Sequence, residues 1–517
     1  MTTPLLKKTS QKKQGFTIVE LLIVIVVIAI LAAITIVAYN GISQRAKQSA
    51  AASAATSAAK KALTYATVNS EQFPVDLPTA GVNNDANTVY EYSYDNTAKT
   101  YCITATFQQV SYYVSNSNPN PTAGLCVGHI GGSINGWSEI LVTASFGGVS
   151  QSNACGRYNG ALYCWGNNSY GQLGNGNTTS SSVPVAVTTS GALSGKTITA
   201  IAGGTGTMCA VASGQAYCWG KGAAGKLGNG GTADSSVPVA VDTSGVLAGK
   251  TVTAISVGYT NVCAVASGAV YCWGGQNNGG LGNNSAVDSS IPVAVDTSGV
   301  LAGKTVTAVG TSAGGSCAVA NSAAYCWGNY WRGEGSSSNG PLVPVAVSVS
   351  GVLAGQAVSK LAGGVGSSGT SNTCALAVGA VYCWGEGTSG ALGNSLTTNS
   401  AVPVAVTTSG VLSGKTITKI SGGQAFYCAI ASGGGAYCWG DGGYGKLGNG
   451  GSGTSSAPVA VTSGAVAGRT ITDISAGSRV ACAIADAQAY CVGYGSGGML
   501  GNGGTSDSAN YVQVTNP

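Results

Sequence analysis

The chain has 517 residues, of which 82 are glycine, 44% are hydrophobic and only 8% are charged. This length exceeds what one ordinary hydrophobic core supports, so we expect at least two folded units. The net charge of +5 is concentrated in four lysines before Gly15 (Lys7, Lys8, Lys12 and Lys13), without which Lys plus Arg falls from 22 to 18 against 17 acidic residues. We find no clustered cations beyond residue 130, so the later part of the chain lacks the signature of a nucleic-acid-binding surface.

A continuous apolar segment follows these lysines. It runs for 23 residues from Phe16 to Ala38 and is long enough to span a bilayer. The lysines should remain in the cytoplasm, which places the chain after Tyr39 outside. The segment contains one carboxylate, Glu20, and a charge at membrane depth costs a few kcal/mol and is rarely kept without a partner or a role.

The stretch "KKQGFTIVELL" resembles the class III leader of type IV prepilins and pseudopilins. The resemblance implies that residues 1–15 are a leader, cleaved after Gly15 by a dedicated prepilin peptidase, and that the new terminus, Phe16, is usually N-methylated. Glu20 matches the family's glutamate at the fifth mature position. Residues 16–38 then form a helix that lies in the cytoplasmic membrane before assembly and in the filament core afterwards.

The chemistry of the new terminus gives Glu20 a role. The α-amine of Phe16, with a pKa of about 7.7–8.0, and the Glu20 carboxylate lower each other's cost of desolvation in an apolar setting. The pair can form within one helix or between neighbouring subunits, and it would set the axial register as subunits stack. The alternative is a plain signal anchor that tolerates one glutamate near its end.

Residues 39–127 are predicted to form a pilin-like α+β head. The helix continues through an Ala-rich stretch to about Val68, and "NTVYEYSY", "TYCITATF" and "QVSYYVS" alternate apolar and polar residues as antiparallel strands do. Pilin heads often close this last segment with a disulfide, so the resemblance implies a Cys102–Cys126 bond. Residues 128–137 read as a linker.

The remainder, residues 138–517, is built from seven copies of one unit. The cysteines of "YCWG", with the last in "YCVG", are spaced by 54, 54, 54, 57, 55 and 53 residues, at Cys164, Cys218, Cys272, Cys326, Cys383, Cys438 and Cys491. Runs such as "KTVTAIS", "VCAVA", "AVYCWG" and "VPVAV" predict four short strands per unit. Four strands repeated seven times favour a seven-bladed β-propeller. A β-solenoid is the competing architecture, although it usually has shorter units and distinct end caps.

Hairpin geometry predicts how the repeat cysteines pair. In "CAVASGAVYC" the turn Ser267-Gly268 makes Cys263 and Cys272 the fourth facing pair, a non-hydrogen-bonded pair with Cα atoms about 4.5 Å apart, which a disulfide accepts. The same count gives the other intra-blade pairs, with one extra glycine in the sixth: Cys155–Cys164, Cys209–Cys218, Cys317–Cys326, Cys374–Cys383, Cys428–Cys438 and Cys482–Cys491. Zinc binding is the rival interpretation, but the spacing lacks His and CxxC pairs.

The repeats also resemble a known family. "YCWGNNSYGQLGNG" and "YCWGDGGYGKLGNG" are similar to the repeats of the regulator of chromosome condensation propellers, especially exported bacterial relatives with paired cysteines. The resemblance covers all seven units and implies the fold, but a propeller hosts many functions. The family commonly places a His before the second strand, and none of these units has one, so we do not carry over nucleotide exchange or chromatin binding.

Nothing in the repeats looks catalytic, and we expect a non-enzyme without a cofactor or a metal. The in-phase tryptophans should pack between blades, and Asp242 and Asp296 in "VAVDTSG" should be turn residues. Irregular loops are better pointers to a binding surface, and the fourth unit replaces "LGNG" with a loop that contains Tyr330, Trp331 and Arg332. Aromatic and Arg side chains are favoured interface anchors, although these positions can also be drifted surface loops.

The sequence therefore predicts a multidomain protein, with an α+β pilin-like domain on a long hydrophobic helix followed by an all-β seven-bladed propeller. We expect a minor or tip type IV pilin-like subunit, processed at the cytoplasmic membrane and displayed on an extracellular filament or the cell surface. Its partners would be other pilin subunits, the prepilin peptidase, and an unknown surface protein or glycan. A pseudopilin of a secretion or DNA-uptake apparatus, or a spacer without a ligand, remain alternatives, and a tethered enzyme is a more distant one.

Overall fold

A computed structural model divides the chain into two compact units, Met1–Gly132 and Ser133–Pro517. The structure describes residues 45–74, 77–84, 88–95, 99–107, 110–116, 118–123, 126, 136–144, 152–276, 279–328, 332–336, 342–348, 350–365 and 371–517. The leader and the apolar segment, residues 1–38, lie outside the described residues. No helix within the described ranges is long and apolar enough to cross a membrane.

The first unit contains a helix, α1 (45–68), and a four-stranded antiparallel sheet. The strands follow one another in the order β1 (Thr88–Asp95), β2 (Thr100–Phe107), β3 (Val110–Ser115) and β4 (Thr122–Ala123). Alanines on one side of α1, including Ala58 and Ala62, are buried in the same cluster as Ile103 and Val114 of the sheet. Because alanine has no side chain beyond Cβ, this face lets the helix axis approach the sheet closely. Cys102 and Cys126 form a disulfide with Cα atoms 6.0 Å apart.

The described residues of the second unit form seven four-stranded sheets, each made of four consecutive antiparallel strands. The first strands of the blades are β5 (Trp137–Val142), β9 (Ile198–Gly203), β13 (Val252–Val257), β17 (Val306–Thr311), β21 (Val358–Val365), β25 (Ile417–Gly422) and β29 (Ile471–Ala476). The second strands are β6 (Asn153–Tyr158), β10 (Thr207–Ala212), β14 (Asn261–Ala266), β18 (Gly315–Ala320), β22 (Ser371–Ala377), β26 (Phe426–Ala431) and β30 (Val480–Ala485).

The third strands are β7 (Ala161–Gly166), β11 (Gln215–Gly220), β15 (Ala269–Gly274), β19 (Ala323–Gly328), β23 (Ala380–Gly385), β27 (Ala436–Gly440) and β31 (Gln488–Gly493). The fourth strands are β8 (Ser181–Ala186), β12 (Ser235–Ala240), β16 (Ser289–Ala294), β20 (Val345–Ala346), β24 (Ser400–Ala405), β28 (Ser455–Ala460) and β32 (Ser508–Gln513). The first blade begins at Trp137, one residue before the predicted boundary.

The seven sheets close into a ring. Each first strand contacts the first strands of the two neighbouring blades, and β29 of the seventh blade contacts β5 of the first. No strand is exchanged at this last junction, which has both backbone and side-chain hydrogen bonds: Trp137 N donates to Ala487 O at 2.8 Å, Ile140 N to Asp473 Oδ2 at 3.1 Å, and Val142 N to Ser475 Oγ at 2.9 Å. The observed architecture is the predicted propeller, and the solenoid alternative is wrong because a solenoid has two free ends.

The second strand of most blades is buried along its whole length, which explains its composition. In β14, "NVCAVA", every residue is buried, since neighbouring blades cover both faces of the sheet. Cys263 and Val265 lie in one cluster with Ala318 and Ala320 of the next blade. Side chains of moderate size fit between the neighbouring blades. The sequence of a strand that is buried on both faces is therefore a nearly continuous apolar run.

Each blade carries one disulfide between its second and third strands. Cys263 faces Cys272 and Ala266 faces Ala269, as the hairpin count predicts, and both residues of the turn have positive φ, 47° at Ser267 and 79° at Gly268, as a type I′ turn requires. The seven intra-blade pairs have Cα separations of 4.0–4.1 Å. Each bond closes a loop of about ten residues and contributes about 2–3 kcal/mol by the chain-entropy account.

Candidate functional site

The propeller presents two different ends to a ligand. The hairpin face carries the turns between second and third strands, together with the connections that enter each first strand. The loop face, at the opposite end, carries the connections between first and second strands, which have three residues in five blades, and the longer connections between third and fourth strands. Loops positioned by a rigid scaffold are the usual location of binding residues.

A central cavity of about 230 Å³ runs between the first strands and is lined by residues of all seven blades. Small and aliphatic residues make up most of its lining, polar atoms form the larger part of the surface that faces the cavity, and its serine and threonine hydroxyl groups take part in contacts between blades. Ser256 Oγ lies 2.8 Å from Thr311 Oγ1, and Ser421 Oγ accepts a hydrogen bond from Ala476 N at 2.9 Å. Among the described residues that line the cavity, none has a charged side chain.

The tryptophans of the repeat pack between blades, as the sequence predicted. All six (Trp165, Trp219, Trp273, Trp327, Trp384 and Trp439) are fully buried. Five of them donate Nε1–H to a backbone carbonyl in the loop of the preceding blade, for example Trp273 to Lys226 O at 3.0 Å and Trp165 to Met499 O at 3.2 Å. The equivalent carbonyl for Trp384 belongs to Trp331, which lies outside the described residues.

The predicted binding loop of the fourth blade is only partly described. Tyr330 and Trp331 lie outside the described residues. Arg332 is 4% exposed, its guanidinium donates to Gly328 O at 3.4 Å, and it forms an ion pair with Glu334. It is therefore not the exposed anchor that we expected.

The position of Arg332 in the repeat explains its burial. Gly333, with φ of 85°, lies against Trp384 Nε1 in the way that Gly282 lies against Trp327 Nε1. Arg332 therefore stands where the third blade has the buried Leu281, and the side chain enters the space between blades, where Glu334 neutralises its charge.

The other predicted assembly and processing residues, Gly15, Phe16 and Glu20, lie outside the described residues. Asp242 and Asp296 are turn residues, as expected: Asp242 Oδ1 accepts hydrogen bonds from Ser244 N and Ser244 Oγ, both at 2.8 Å. The same pattern at Asp296 and Ser298 lowers the pKa of the Asp296 carboxyl through the Ser298 hydroxyl and amide. Among the described residues, no three His, Cys, Asp or Glu side chains are placed to hold a metal ion.

The hairpin face carries a series of cations that our sequence analysis overlooked. Five blades place one basic group over a tyrosine ring, at 5.6–5.9 Å from the ring centroid, in the pairs Lys196–Tyr217, Lys250–Tyr271, Lys304–Tyr325, Lys415–Tyr437 and Arg469–Tyr490. The signal was present, because "GKT" or "GRT" precedes most first strands. We overlooked this pattern because the cations are about one repeat apart in the sequence and form no local cluster.

Two lysines are buried at the loop face, and their electrostatic surroundings differ. In the sixth blade Lys446 Nζ lies 2.9 Å from Asp441 Oδ2. In the second blade Lys226 is 3% exposed and its Nζ donates to Thr205 O at 2.9 Å and Tyr259 O at 3.0 Å. The position of Asp441 is taken there by Lys221, and burial together with Lys221 lowers the pKa of Lys226 to about 7.

Replacing Lys221 with aspartate should stabilise the propeller at neutral pH. The folded state releases the Lys226 proton near pH 7, whereas an unfolded lysine releases it near about pH 10.4. The unfolded state therefore binds more protons between these values, and the free energy of unfolding should rise with pH there by up to about 1.4 kcal/mol per unit. Lys221→Asp should raise the pKa of Lys226 and flatten this rise, as measured by urea unfolding at several pH values.

The matched control is Lys250→Asp, which makes the same charge change on the hairpin face and should keep the wild-type slope. Equal slopes for wild type and Lys221→Asp would contradict the assignment of the pH dependence to Lys226.

One cluster at the loop face combines an exposed tyrosine with a half-buried tyrosine and a half-buried arginine. At the junction of blades six and seven, the Arg479 guanidinium carbon lies 5.5 Å from the ring centroid of Tyr444 and 5.4 Å from that of Tyr494. The two rings are 5.0 Å apart in an edge-on arrangement. The sequence signal was a departure from the repeat, because Tyr494 follows "YCVG" where other units have a small or polar residue.

Comparison with known families identifies both parts of the chain. The profile of the Regulator of chromosome condensation (RCC1) repeat matches about half of the chain, at residues 159–211, 213–265, 267–320, 378–430 and 433–484, and a second profile of this repeat matches residues 417–446. The chain therefore belongs to the RCC1 repeat family. The Prokaryotic N-terminal methylation motif matches residues 10–36, so both resemblances noted in the sequence are confirmed.

Among curated proteins, the chain is 31% identical to the E3 ubiquitin-protein ligase HERC2 of Homo sapiens over 354 residues, which are 67% of this chain and 7% of HERC2. It is 28% identical over 378 residues to the Ultraviolet-B receptor UVR8 of Arabidopsis thaliana, covering 71% of this chain and 80% of that one. The chain thus spans only a small part of HERC2, and the activity in that protein's name does not transfer through this match.

Solved structures show the same fold. Human WBSCR16 matches with a TM-score of 0.54 and 19% identity, covering 72% of this chain and 88% of that chain. The yeast RCC1 protein Prp20, in a crystal structure with Kap60, matches with a TM-score of 0.58 and 18% identity, covering 69% and 84%. At these identities the similarity establishes the architecture alone.

Proposed function

We propose that this protein is a minor or tip subunit of a type IV pilus or a related filament, and that its propeller recognises a surface partner by binding. One observation carries the proposal: the same chain contains a methylation motif at residues 10–36 and RCC1 repeats. The motif is typical of pilin-type proteins processed at the membrane, and a disulfide-stapled propeller suits an oxidising, extracellular location.

Each segment of the chain then has its own role. Residues 1–15 are the cleaved leader, residues 16–38 insert into the membrane and then the filament, and residues 39–127 form the head. Residues 128–137 connect the head to the propeller, which is much larger. Dense packing of such subunits along a shaft is difficult, which favours sparse or terminal positions. The described part of the propeller supplies no catalytic constellation, so binding is the activity that its geometry supports.

Deleting residues 138–517 tests the recognition function. A strain that produces only the leader, helix and head should still assemble filaments but should lose most of its adhesion to the surface that wild-type cells colonise. The measurement is the number of adherent cells, with filaments counted by electron microscopy. Normal adhesion of this strain would contradict the proposal, and a secretion defect with normal adhesion would favour the pseudopilin alternative.

A further inference from the structure

The tyrosine–arginine cluster, Tyr444, Arg479 and Tyr494, is not required by the fold. Tyr444 has φ of 63° and lies in the left-handed region, which a bulky side chain rarely adopts and which carries a strain cost. Three equivalent turns use smaller residues in this conformation: Ala224 with φ of 57°, Ser389 with 60° and Gly497 with 70°. These turns adopt the left-handed conformation with or without a large side chain, so the conformation does not require a tyrosine.

The exposure of Tyr444 also sets it apart. Its side chain is 42% exposed, and it is the only large hydrophobic side chain exposed between residues 412 and 514, all of which are described. Neighbouring residues in the same loops, such as Gly442, Gly443 and Ser496, are small. A protein–protein hot spot is usually surrounded by further packed contacts that exclude water. A single exposed ring among glycines instead fits a ligand about the size of one sugar ring.

Arg479 is held in place while most of its donors stay available. Among the described residues, its guanidinium makes one hydrogen bond, from Nη1 to Tyr444 Oη at 3.3 Å, whereas a guanidinium has five N–H donors. The nearby carboxylate of Asp441 is 2.9 Å from Lys446 Nζ and also accepts from Gly443 N at 3.0 Å. Asp441 is therefore bound to Lys446, and although Arg479 also acts electrostatically on Asp441, no carboxylate among the described residues forms an ion pair with the Arg479 guanidinium. A carboxylate matches such a planar fork of donors.

A second contact between a tyrosine and a basic side chain lies elsewhere on the loop face. Tyr170 occupies the position of Tyr444 in "YGQLGNG", and Lys221 of the next blade lies over its ring, with Nζ 4.9 Å from the centroid. Blades one and six therefore each present a tyrosine beside a basic group of the following blade. A polymer that repeats one acidic unit can engage both positions, which gives an effective-concentration advantage over a ligand with a single acid.

We infer that the loop face binds an acidic polysaccharide, with a uronate carboxylate on Arg479 and the sugar ring packed on Tyr444, and that the Tyr170–Lys221 pair serves as a second subsite. This inference rests on the proposed recognition function and names the class of ligand. A rigid arginine preordered by two aromatic rings loses little conformational freedom on binding, which favours affinity for a flexible chain.

The test uses the purified full-length chain in detergent and polygalacturonate as the probe. Wild type should bind polygalacturonate, and Arg479→Ala and Tyr444→Ala should each weaken binding at least ten-fold. Both replacements have precedents in the repeat, since Ala425 stands at the position of Arg479 and Ala224 at that of Tyr444. The thermal midpoint of both variants should therefore stay near that of wild type, so a loss of binding reports the site and not unfolding.

Arg469→Ala is the matched control, because Arg469 also lies over a tyrosine, 5.6 Å from the centroid of Tyr490, but on the hairpin face. It should bind as wild type does. Methyl-esterified polygalacturonate, which keeps the sugar ring and lacks the charge, should bind no better to wild type than polygalacturonate does to Arg479→Ala. Equal binding by wild type and Arg479→Ala, or no binding by wild type, would overturn the inference.

Poly-glutamate tests whether the bound carboxylate belongs to a sugar or to an acidic peptide. Binding of poly-glutamate as tight as that of polygalacturonate would overturn the sugar assignment in favour of an acidic peptide. Failure of the ligand assignment and failure of the proposed function give different results. Normal adhesion after deletion of residues 138–517 would contradict the recognition function even if polygalacturonate binds Arg479. Loss of adhesion by that strain, together with no binding of the probe, would leave the function and remove the ligand class.

Discussion

Replacing Glu20 with alanine should abolish incorporation of the protein into filaments while leaving it in the membrane. The proposed assembly pairs the Glu20 carboxylate with the α-amine that cleavage creates at Phe16. Leaving that cation without its partner in an apolar environment costs several kcal/mol, since removing one member of a buried pair is strongly destabilising, by about 3–5 kcal/mol. This cost corresponds to a loss of at least about a hundred-fold in an assembly equilibrium.

The measurement is the ratio of protein in sheared filaments to protein in the membrane fraction, by immunoblotting with an antibody to the propeller. Glu71→Ala is the matched control, because Glu71 is an exposed glutamate just beyond helix α1 and its loss should leave assembly unchanged. Glu20→Gln should also fail to assemble, since the amide removes the charge but keeps the size. Recovery of Glu20→Ala in filaments at the wild-type ratio would contradict the pairing.

The second large effect is expected in the propeller core, where Trp273→Val should lower the free energy of unfolding by about 3 kcal/mol or more. Trp273 is fully buried and donates Nε1–H to Lys226 O of the preceding blade. The truncation leaves both a cavity and an unsatisfied carbonyl. The measurement is urea unfolding of the oxidised full-length protein.

The seventh blade offers a natural compensation for this loss. It has Val492 at the tryptophan position and Tyr511, 1% exposed, where other blades have a proline in the fourth strand. The Tyr511 ring fills the space of the missing indole: a Cβ on Gly448 would lie 2.4 Å from Tyr511 Cε2, just as one on Gly228 would lie 2.6 Å from Trp273 Nε1.

Adding Pro292→Tyr to Trp273→Val copies this arrangement into the third blade. The double variant should regain at least about 1 kcal/mol relative to the sum of the single changes, because residues that share one cavity couple by about 0.5–3 kcal/mol. Val492→Trp, made alone, should overpack the seventh blade and cost about 1–3 kcal/mol. Strict additivity of Trp273→Val and Pro292→Tyr would show that the two positions do not share a cavity.

Local sequence patterns were sufficient for the repeat and its disulfides. A two-residue turn with positive φ fixes the register of a hairpin, and the register fixes which cysteines face each other, so Cys263 and Cys272 could be paired by counting. The tryptophans could be placed between blades because each recurs in phase with a strand. Both inferences depend on short-range geometry, which the order of residues contains.

Side-chain environments that depend on neighbouring blades were not predictable in the same way. Arg332 follows two aromatic residues in an irregular loop and looked exposed, but the ring of blades places it in the position of a core leucine. Lys226 and Lys446 occupy the same repeat position, but their charge environments differ, because the residue five places earlier is Lys221 in one blade and Asp441 in the other, and Arg479 lies near Lys446 alone. Arg479 and Tyr444 are 35 residues apart and meet only because blades six and seven pack side by side.

The sequence by itself determined the number of repeats, the strand count, the pairing of the repeat cysteines and the two families whose motifs the chain contains, because each is encoded by motifs and periods within one repeat or one segment. Only the tertiary structure decided that the ring closes without strand exchange, that the described lining of the central cavity is uncharged, and which tyrosine and arginine meet on the loop face. These features arise from contacts between residues that are distant in the chain, and the closure of the ring sets those contacts.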